Sequence, residues 1–351
     1  MKVFIFCPIG GRTGGPEAIH QLCDKLRQLG INCFLLASAT YGPRVEQYEI
    51  YNAPLASLLE VSNNDIIVTP ESYLRLPKEL ENHPKSKIYV WWLSVDNCNH
   101  QLVRKYLLLS QVPLNPAWNK LSAKSFIKKQ VKAARKSLIL VRDYWQSREF
   151  RRNSFSLDLN EVRHLAQSAY AIDFINKMIK KDALMVSDYV KLPLNIQNSQ
   201  KFDEKVIVYN HAKGGDLVSK VATLTNGVKF VPLRNMTYSE VIQNISSASL
   251  YLDLGHFPGK DRLPREAILN GTPVIISERG SGKYSEDFDI PQLYKFDLFK
   301  NDPYICANLI MSFISQRDNL LLNQKQFRSQ VIAQEEVFTR EVKEFTELIS
   351  L

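Results

Sequence analysis

The chain has 351 residues, of which 45% are hydrophobic and 23% charged. That length and balance suit two soluble domains with their own cores, and speak against a disordered or fibrous protein. No apolar run approaches the roughly 18 residues a membrane span needs, and the formal charge of +9 is local. Ten Lys or Arg and no acidic residue fall between Asp96 and Asp143, so the rest of the chain is close to neutral.

The first residues, MKVFIFCPIGG, pass directly from one lysine into a strand over residues 2–6 and a glycine loop. That apolar stretch is too short for a secretory leader, so a cytoplasmic protein is expected. The five cysteines contain no CxxC pair, and the six histidines form no HExxH or comparable pattern. Free thiols in a reducing compartment and the absence of a bound metal are the expectations.

The glycine loop reads Pro8-Ile9-Gly10-Gly11-Arg12-Thr13-Gly14-Gly15-Pro16. A helix is expected over 16–29, with Ile19, Leu22, Cys23, Leu26 and Leu29 on one face, and a strand over 31–37. This is a βαβ unit, but neither a dinucleotide fingerprint nor a P-loop: GxGxxG, the ribose-holding acid and Gly-Lys-Ser/Thr are all missing. Bare backbone N–H groups at Gly14 and Gly15 can approach an anion, or the pair can simply serve a tight turn. Glu17 and His20 follow on the first helical turn, where Glu17 is either a working carboxylate or a complement to the helix dipole.

Residues 65–69 and 88–93 are further core strands, each ending in polar residues at the sheet edge. After the second comes Ser94-Val95-Asp96-Asn97. Asp96 is a candidate general base, or the cap of a helix beginning near Asn99. A basic helix is expected over 119–137, since Lys120, Lys124, Lys128, Lys132 and Lys136 recur every fourth residue. Leu121, Ile127, Val131, Ala134 and Leu138 offer the opposite side. Such a face suits an anionic membrane surface, with each cation contributing about 1 kcal/mol near the headgroups. A solvated face and, less favoured, a nucleic-acid patch are the rivals.

The stretches 138–141 and 166–172 complete a first domain over 1–192, with 184–190 its last element. Residues 193–205 lose periodicity and read as a linker. A second domain over 206–320 opens on Val206–Tyr209, followed by Asn210-His211-Ala212-Lys213-Gly214-Gly215. A strand at 228–232 and a helix at 238–248 lead into the most informative stretch, Asp253 to Ser281.

There an apolar strand over 248–252 gives way to a charged loop holding His256, Gly259, Lys260 and Arg262. Pro264 fits the first turn of a short helix carrying Glu266. Gly271 fits its end, Val274-Ile275-Ile276 is a buried strand, and Ser281 lies in the following loop. The helix N-terminus and both loops therefore share one sheet edge, where open α/β folds bind ligands. A strand near 293–296 and helices at about 302–316 and 322–349 finish the chain, the segment 321–351 forming its final element.

Leu263, Pro264, Glu266, Ala267, Gly271, Pro273, Val274 and Ile275 resemble the donor-binding signature of GT-B glycosyltransferases, in particular the family 4 (group 1) type. The spacing differs by one residue between Pro264 and Glu266. Where that family carries a second glutamate, this chain has Phe257-Pro258-Gly259. Lys213-Gly214 resembles the second half of the family's Arg…Lys-Gly pair, whose arginine is missing here. The resemblance implies an α/β fold of two Rossmann-like domains across a cleft, with the last helix crossing back to the first. It implies a metal-independent transferase whose Lys213, Lys260 and Arg262 hold a donor diphosphate and whose Glu266 holds the ribose. Gly14, Gly15 and His20 would face donor phosphates or acceptor, and Asp96 would act in the cleft. The acceptor implied is a hydroxyl of a bacterial surface polysaccharide or a lipid-linked glycan. A nucleotide-sugar 2-epimerase and a non-catalytic nucleotide-sugar scaffold are the alternatives on the same architecture.

Overall fold

The computed structural model describes residues 1–11, 13–38, 43–98, 100–110, 153–191, 202–298 and 301–350. The basic segment 119–137, the stretch 138–141 and most of the expected linker lie outside these residues.

The first lobe is built on a six-stranded parallel sheet. Its strands are β1 (Val3–Cys7), β2 (Cys33–Ala37), β3 (Ile66–Pro70), β5 (Ile88–Trp92), β7 (Arg163–Ala166) and β8 (Ala183–Met185), in the order β2-β1-β3-β5-β7-β8. A two-stranded antiparallel ribbon, β4 (Arg75–Pro77) with β6 (Ser154–Ser156), lies beside it. The central strands are buried from end to end, as a sheet covered on both faces requires. Helix α1 (Gly14–Gln28) buries Ile19, Leu22, Cys23 and Leu26 on that sheet, the 3.6-residue stripe the sequence shows. The helix expected near Asn99 is α2 (Gln101–Ser110), and the stretch around 166–172 is the end of β7 followed by α3 (Ala169–Phe174).

The second lobe has five parallel strands, β9 (Asp203–Asn210), β10 (Lys229–Leu233), β11 (Ala248–Asp253), β12 (Val274–Ser277) and β13 (Lys295–Phe296), ordered β10-β9-β11-β12-β13. Strand β9 begins before the expected end of the linker. Helices α4 (Gly215–Ala222), α5 (Tyr238–Ser247) and α6 (Arg262–Leu269) connect these strands.

In both sheets the strand order reverses beside the first strand, between β1 and β3 and between β9 and β11. Connecting loops part at such a point and leave a crevice at the carboxyl ends of the strands. The two crevices face each other.

The long terminal helix expected over 322–349 is divided. After α7 (Pro303–Phe313) come α8 (Arg317–Asn323), α9 (Lys325–Ile332) and α10 (Gln334–Ser350). The break before α9 falls at Gln324, whose buried side-chain amide pairs with both the N–H and the carbonyl of Val274, at 2.9 and 2.8 Å. Helix α9 buries Phe327 and Val331 in the second lobe's core. Helix α10 buries Phe338, Val342, Phe345 and Ile349 with Val3, Ile5 and Leu22 in the first. One straight helix cannot present apolar stripes to two differently oriented sheets, so the chain bends between them. Glu341 then accepts the Ser187 N–H and hydroxyl at 2.7 and 2.6 Å, tying α10 to the strand end it crosses.

Candidate active site

The cleft between the lobes holds about 910 Å³ and is lined by the loops after β1, β3, β5, β9 and β11 and by the first turn of α6. Among the described residues, α1, α4 and α6 begin at this region without a side-chain cap, after Thr13, Gly214 and Asp261, whereas α5 is capped there by Thr237. Each uncapped end leaves backbone N–H donors and the positive end of a helix dipole facing inward. Gly214 has φ +73°, and a Cβ there would stand 2.6 Å from the Gly255 nitrogen. Only glycine allows the β9 and β11 loops to close on each other at that point.

Arg262 opens α6 and projects between the lobes. A Cβ on Gly14 would lie 3.2 Å from its Cδ, so the α1 and α6 N-termini are in near contact across the cleft. Its Nη1 stands 3.1 Å from Glu17 Oε2 of the first lobe, and its Nε 3.4 Å from Glu266 Oε1. The Glu17 contact is an ion pair without hydrogen-bond alignment, which leaves the buried Nη1 donor without an acceptor. Burial works against the guanidinium's charge, but Glu17 and Glu266 outweigh it and hold its pKa above the ordinary value. Glu17 also accepts a hydrogen bond from Tyr51 at 3.1 Å, and the Tyr238 hydroxyl reaches Glu266 at 3.5 Å. Tyr238, Met236, Val241 and Leu263 make the wall beyond Glu266 largely apolar.

Lys213 lines the cleft, but both oxygens of Asp261 accept from its ammonium at 2.6 Å. Burial raises the Asp261 pKa against the pull of that lysine. Neighbouring Asp253, buried and close to Asp261, is pushed up to about 7. Lys260 is pinned through its backbone, its N–H to Gln167 Oε1 at 3.1 Å and its carbonyl to Arg265 Nη2 at 2.7 Å. Burial, then the Arg265 charge, lowers its ammonium pKa.

Gly14, Gly15, Glu17, Lys213, Gly259, Lys260, Arg262 and Glu266 thus all line the cleft. Other candidates lie elsewhere. His20 is fully buried behind the glycine loop, stacked on Tyr48 with centroids 4.5 Å apart, its Nδ1 2.7 Å from the Pro16 carbonyl. Burial pushes its pKa down to about 4, so it is a neutral core group and not a phosphate or acceptor contact. It sits in the second turn of α1, on the side facing Cys7 of β1. Ser281 is buried and donates to the Gly259 carbonyl, bracing the loop from behind.

Asp96 and His256 meet each other from opposite lobes, His256 Nε2 against Asp96 Oδ2, while the Tyr170 hydroxyl donates to Asp96 Oδ1 at 2.8 Å. Asp96 therefore does not cap the following helix; it belongs to an interlobe contact beside the cleft, where Ser94 and Asn97 supply the lining. Asp287 reinforces this contact from the second lobe by accepting the Ala169 and Tyr170 N–H groups at the start of α3, at 2.9 and 3.3 Å.

A fully buried polar connection between the lobes involves two residues that the sequence alone does not single out. Arg265 is fully buried on α6. It donates to Asp188 Oδ2 at 2.9 Å, Gln334 Oε1 at 2.9 Å and the Asp261 carbonyl at 3.1 Å, besides Lys260. Burial disfavours ionised Asp188, but Arg265 outweighs it and lowers the Asp188 pKa. A signal existed for Asp188, which interrupts the largely apolar run LMVSDYV. Among the described residues, no three His, Cys, Asp or Glu side chains are grouped to hold a metal ion, and no helix is long and apolar enough to cross a membrane.

Two parallel sheets of matching strand order, facing crevices and a terminal helix returning to the first lobe define the GT-B fold. Solved structures sharing it include sucrose-phosphate synthase from Thermosynechococcus elongatus, with TM-score 0.62, 11% identity and 99% of each chain covered. Anabaena HepE, solved in complex with UDP-glucose, has TM-score 0.57, 11% identity and full coverage of both chains. Against TarM the TM-score is 0.51 at 13% identity, over 82% of this chain and 55% of TarM, so the chain spans about half of that protein's length. No protein-family model matches the chain, and no curated protein matches it in sequence.

Proposed function

We propose that the protein transfers a glycosyl group from a nucleotide-sugar donor to a hydroxyl acceptor. The observation that carries this reading is the meeting of the uncapped α1 and α6 N-termini on either side of Arg262, whose buried Nη1 lacks an acceptor. That is a site for a diphosphate held by both lobes. Glu266 accepts hydrogen bonds from the ribose, and the Tyr238, Met236 and Val241 wall takes the base.

In the transfer, the bond from the anomeric carbon to the diphosphate breaks and the nucleoside diphosphate leaves with the electron pair. The acceptor oxygen bonds to that carbon and gives its proton to a carboxylate. Arg262, Lys260 and the helix N-termini stabilise the leaving charge, so the reaction is proposed to need no metal. Lys213 contributes once the diphosphate competes with Asp261. Glu17 stands in the cleft as one candidate base, and Asp96 becomes available when His256 releases it. The acceptor is proposed to be a hydroxyl of a surface or lipid-linked glycan. The regularly spaced cations of 119–137 support this as a means of attachment to an anionic membrane, from the cytoplasmic side.

A thermal-shift screen with UDP, GDP, CDP, dTDP and CMP identifies the nucleotide. Hydrolysis of the matching nucleotide sugar is then measured with and without a lipid-linked acceptor. Slow hydrolysis that an acceptor diverts into glycosylated product is expected. Conversion of the donor to an epimeric sugar, or binding with no turnover of any donor, would replace transfer by epimerisation or by a scaffold role.

A further inference from the structure

The cleft wall holds a charged group that takes no part in the transfer itself. Asp188 follows β8 on the first lobe and is fully buried, yet it lines the same cleft as Lys260 and Arg262. Its Oδ2 is fixed by Arg265 Nη2 at 2.9 Å, while its Oδ1 has no hydrogen-bond partner. Arg265 keeps the carboxyl ionised against its burial. An ionised carboxylate is an acceptor only, so the group that completes it must bring an O–H or N–H. Buried polar atoms in native proteins are almost always paired, which makes an orphan oxygen at a ligand cleft informative.

The parts of a nucleotide sugar can be assigned by elimination. Phosphate oxygens are repelled by a carboxylate. The ribose belongs to Glu266 and the base to the apolar wall around Tyr238. What remains is the sugar, whose periphery consists of hydroxyl donors. Resting on the function proposed above, we infer that Asp188 Oδ1 accepts a hydrogen bond from one hydroxyl of the donor sugar. Arg265 acts through it as a positioning residue. Asp188 then selects the donor, since a sugar lacking that hydroxyl leaves a buried charge unpaired. Because Arg265 also holds Asp261, Lys260 and Gln334, the sugar contact is fixed to the same side chain that ties the two lobes together.

The test compares Asp188→Asn with wild type by calorimetry, using the tightest-binding pair among UDP/UDP-glucose, UDP/UDP-N-acetylglucosamine and GDP/GDP-mannose. The nucleotide alone should bind the variant as it binds wild type, whereas the nucleotide sugar should lose about tenfold. Among the 2-, 3-, 4- and 6-deoxy analogues of that sugar, one should bind wild type as weakly as the parent binds Asp188→Asn. That analogue should lose nothing further in the variant. An unchanged ratio of nucleotide to nucleotide-sugar affinity would overturn the assignment and leave the proposed function standing, whereas wild type that binds none of these nucleotides overturns both. Should Asp188→Asn fail to unfold cooperatively, the deoxy series on wild type decides alone. Uniform affinity across it rejects the contact.

Discussion

Removing the Arg262 guanidinium separates a nucleotide site from a mere interlobe ion pair. In the structure, Arg262 touches Glu17 from one lobe and Glu266 from its own helix, at 3.1 and 3.4 Å, and keeps one buried donor free. If its task is a diphosphate, Arg262→Ala deletes a charge-assisted contact of about 1.5–3 kcal/mol. That corresponds to roughly tenfold to hundredfold weaker binding of the nucleoside diphosphate. Arg262→Lys keeps the charge but loses the planar fork, and should fall between the two. Glu17 and Glu266 stand on the wall of an open cleft, so they can be rehydrated when the cation goes, and cooperative thermal unfolding should persist. Calorimetric titration with UDP and GDP reads the affinities. Nucleotide binding by Arg262→Ala within twofold of wild type, with a lowered melting temperature, would mean that Arg262 only joins the lobes.

Four further outcomes follow from the same geometry. Gly259→Ala places a Cβ on the Leu93 carbonyl of the opposite lobe; it should cost about 1–3 kcal/mol in stability and most of the turnover, measurable by denaturant unfolding and donor hydrolysis. Glu17→Gln removes a partly exposed ion pair that a diphosphate must displace. Nucleotide affinity should rise, by at most about fivefold for a contact worth roughly 1 kcal/mol, and turnover should fall if Glu17 is the base; weaker nucleotide binding would contradict the displacement. Buried Glu71, which accepts the Leu93 N–H at 2.8 Å, has its pKa pushed up to about 8 by desolvation. The folded chain therefore retains a proton that the unfolded chain releases, and stability falls as pH rises from the ordinary carboxylate range through about 8. Melting curves of wild type and Glu71→Gln should diverge with rising pH in favour of the variant, and parallel curves would refute this. Finally, transfer should proceed in EDTA at the rate seen with added Mg²⁺ or Mn²⁺; a tenfold loss on chelation would show that the cations of the cleft do not suffice.

Much of this molecule follows from local pattern. Short apolar runs rich in β-branched and aromatic residues, such as IYVWW and VII, fit strands covered on both sides, and their alternation with 3.6-period segments fits parallel sheets. Pro264, Gly271 and Pro273 set the helix and strand limits of the most informative stretch, because each restricts the backbone whatever surrounds it. The cluster of Arg262, Lys260 and Glu266 at a sheet edge follows from the same punctuation.

What residues on different lobes do to one another was decided only in three dimensions. Asp96 and His256 are 160 positions apart, and neither sequence neighbourhood indicates that they meet. His20 looked like a cleft residue because it follows the glycine loop, but the rotation of α1 turns it onto Tyr48 and into the core. Lys213 carries a charge suited to phosphate, and the fold sets Asp261 against it. Arg265 and Asp188 carry no local sign of each other, and only the fold buries them together. The physical reason is common to all: backbone preference acts over a few residues and is written locally, whereas burial and charge pairing depend on which surfaces the folded chain brings into contact.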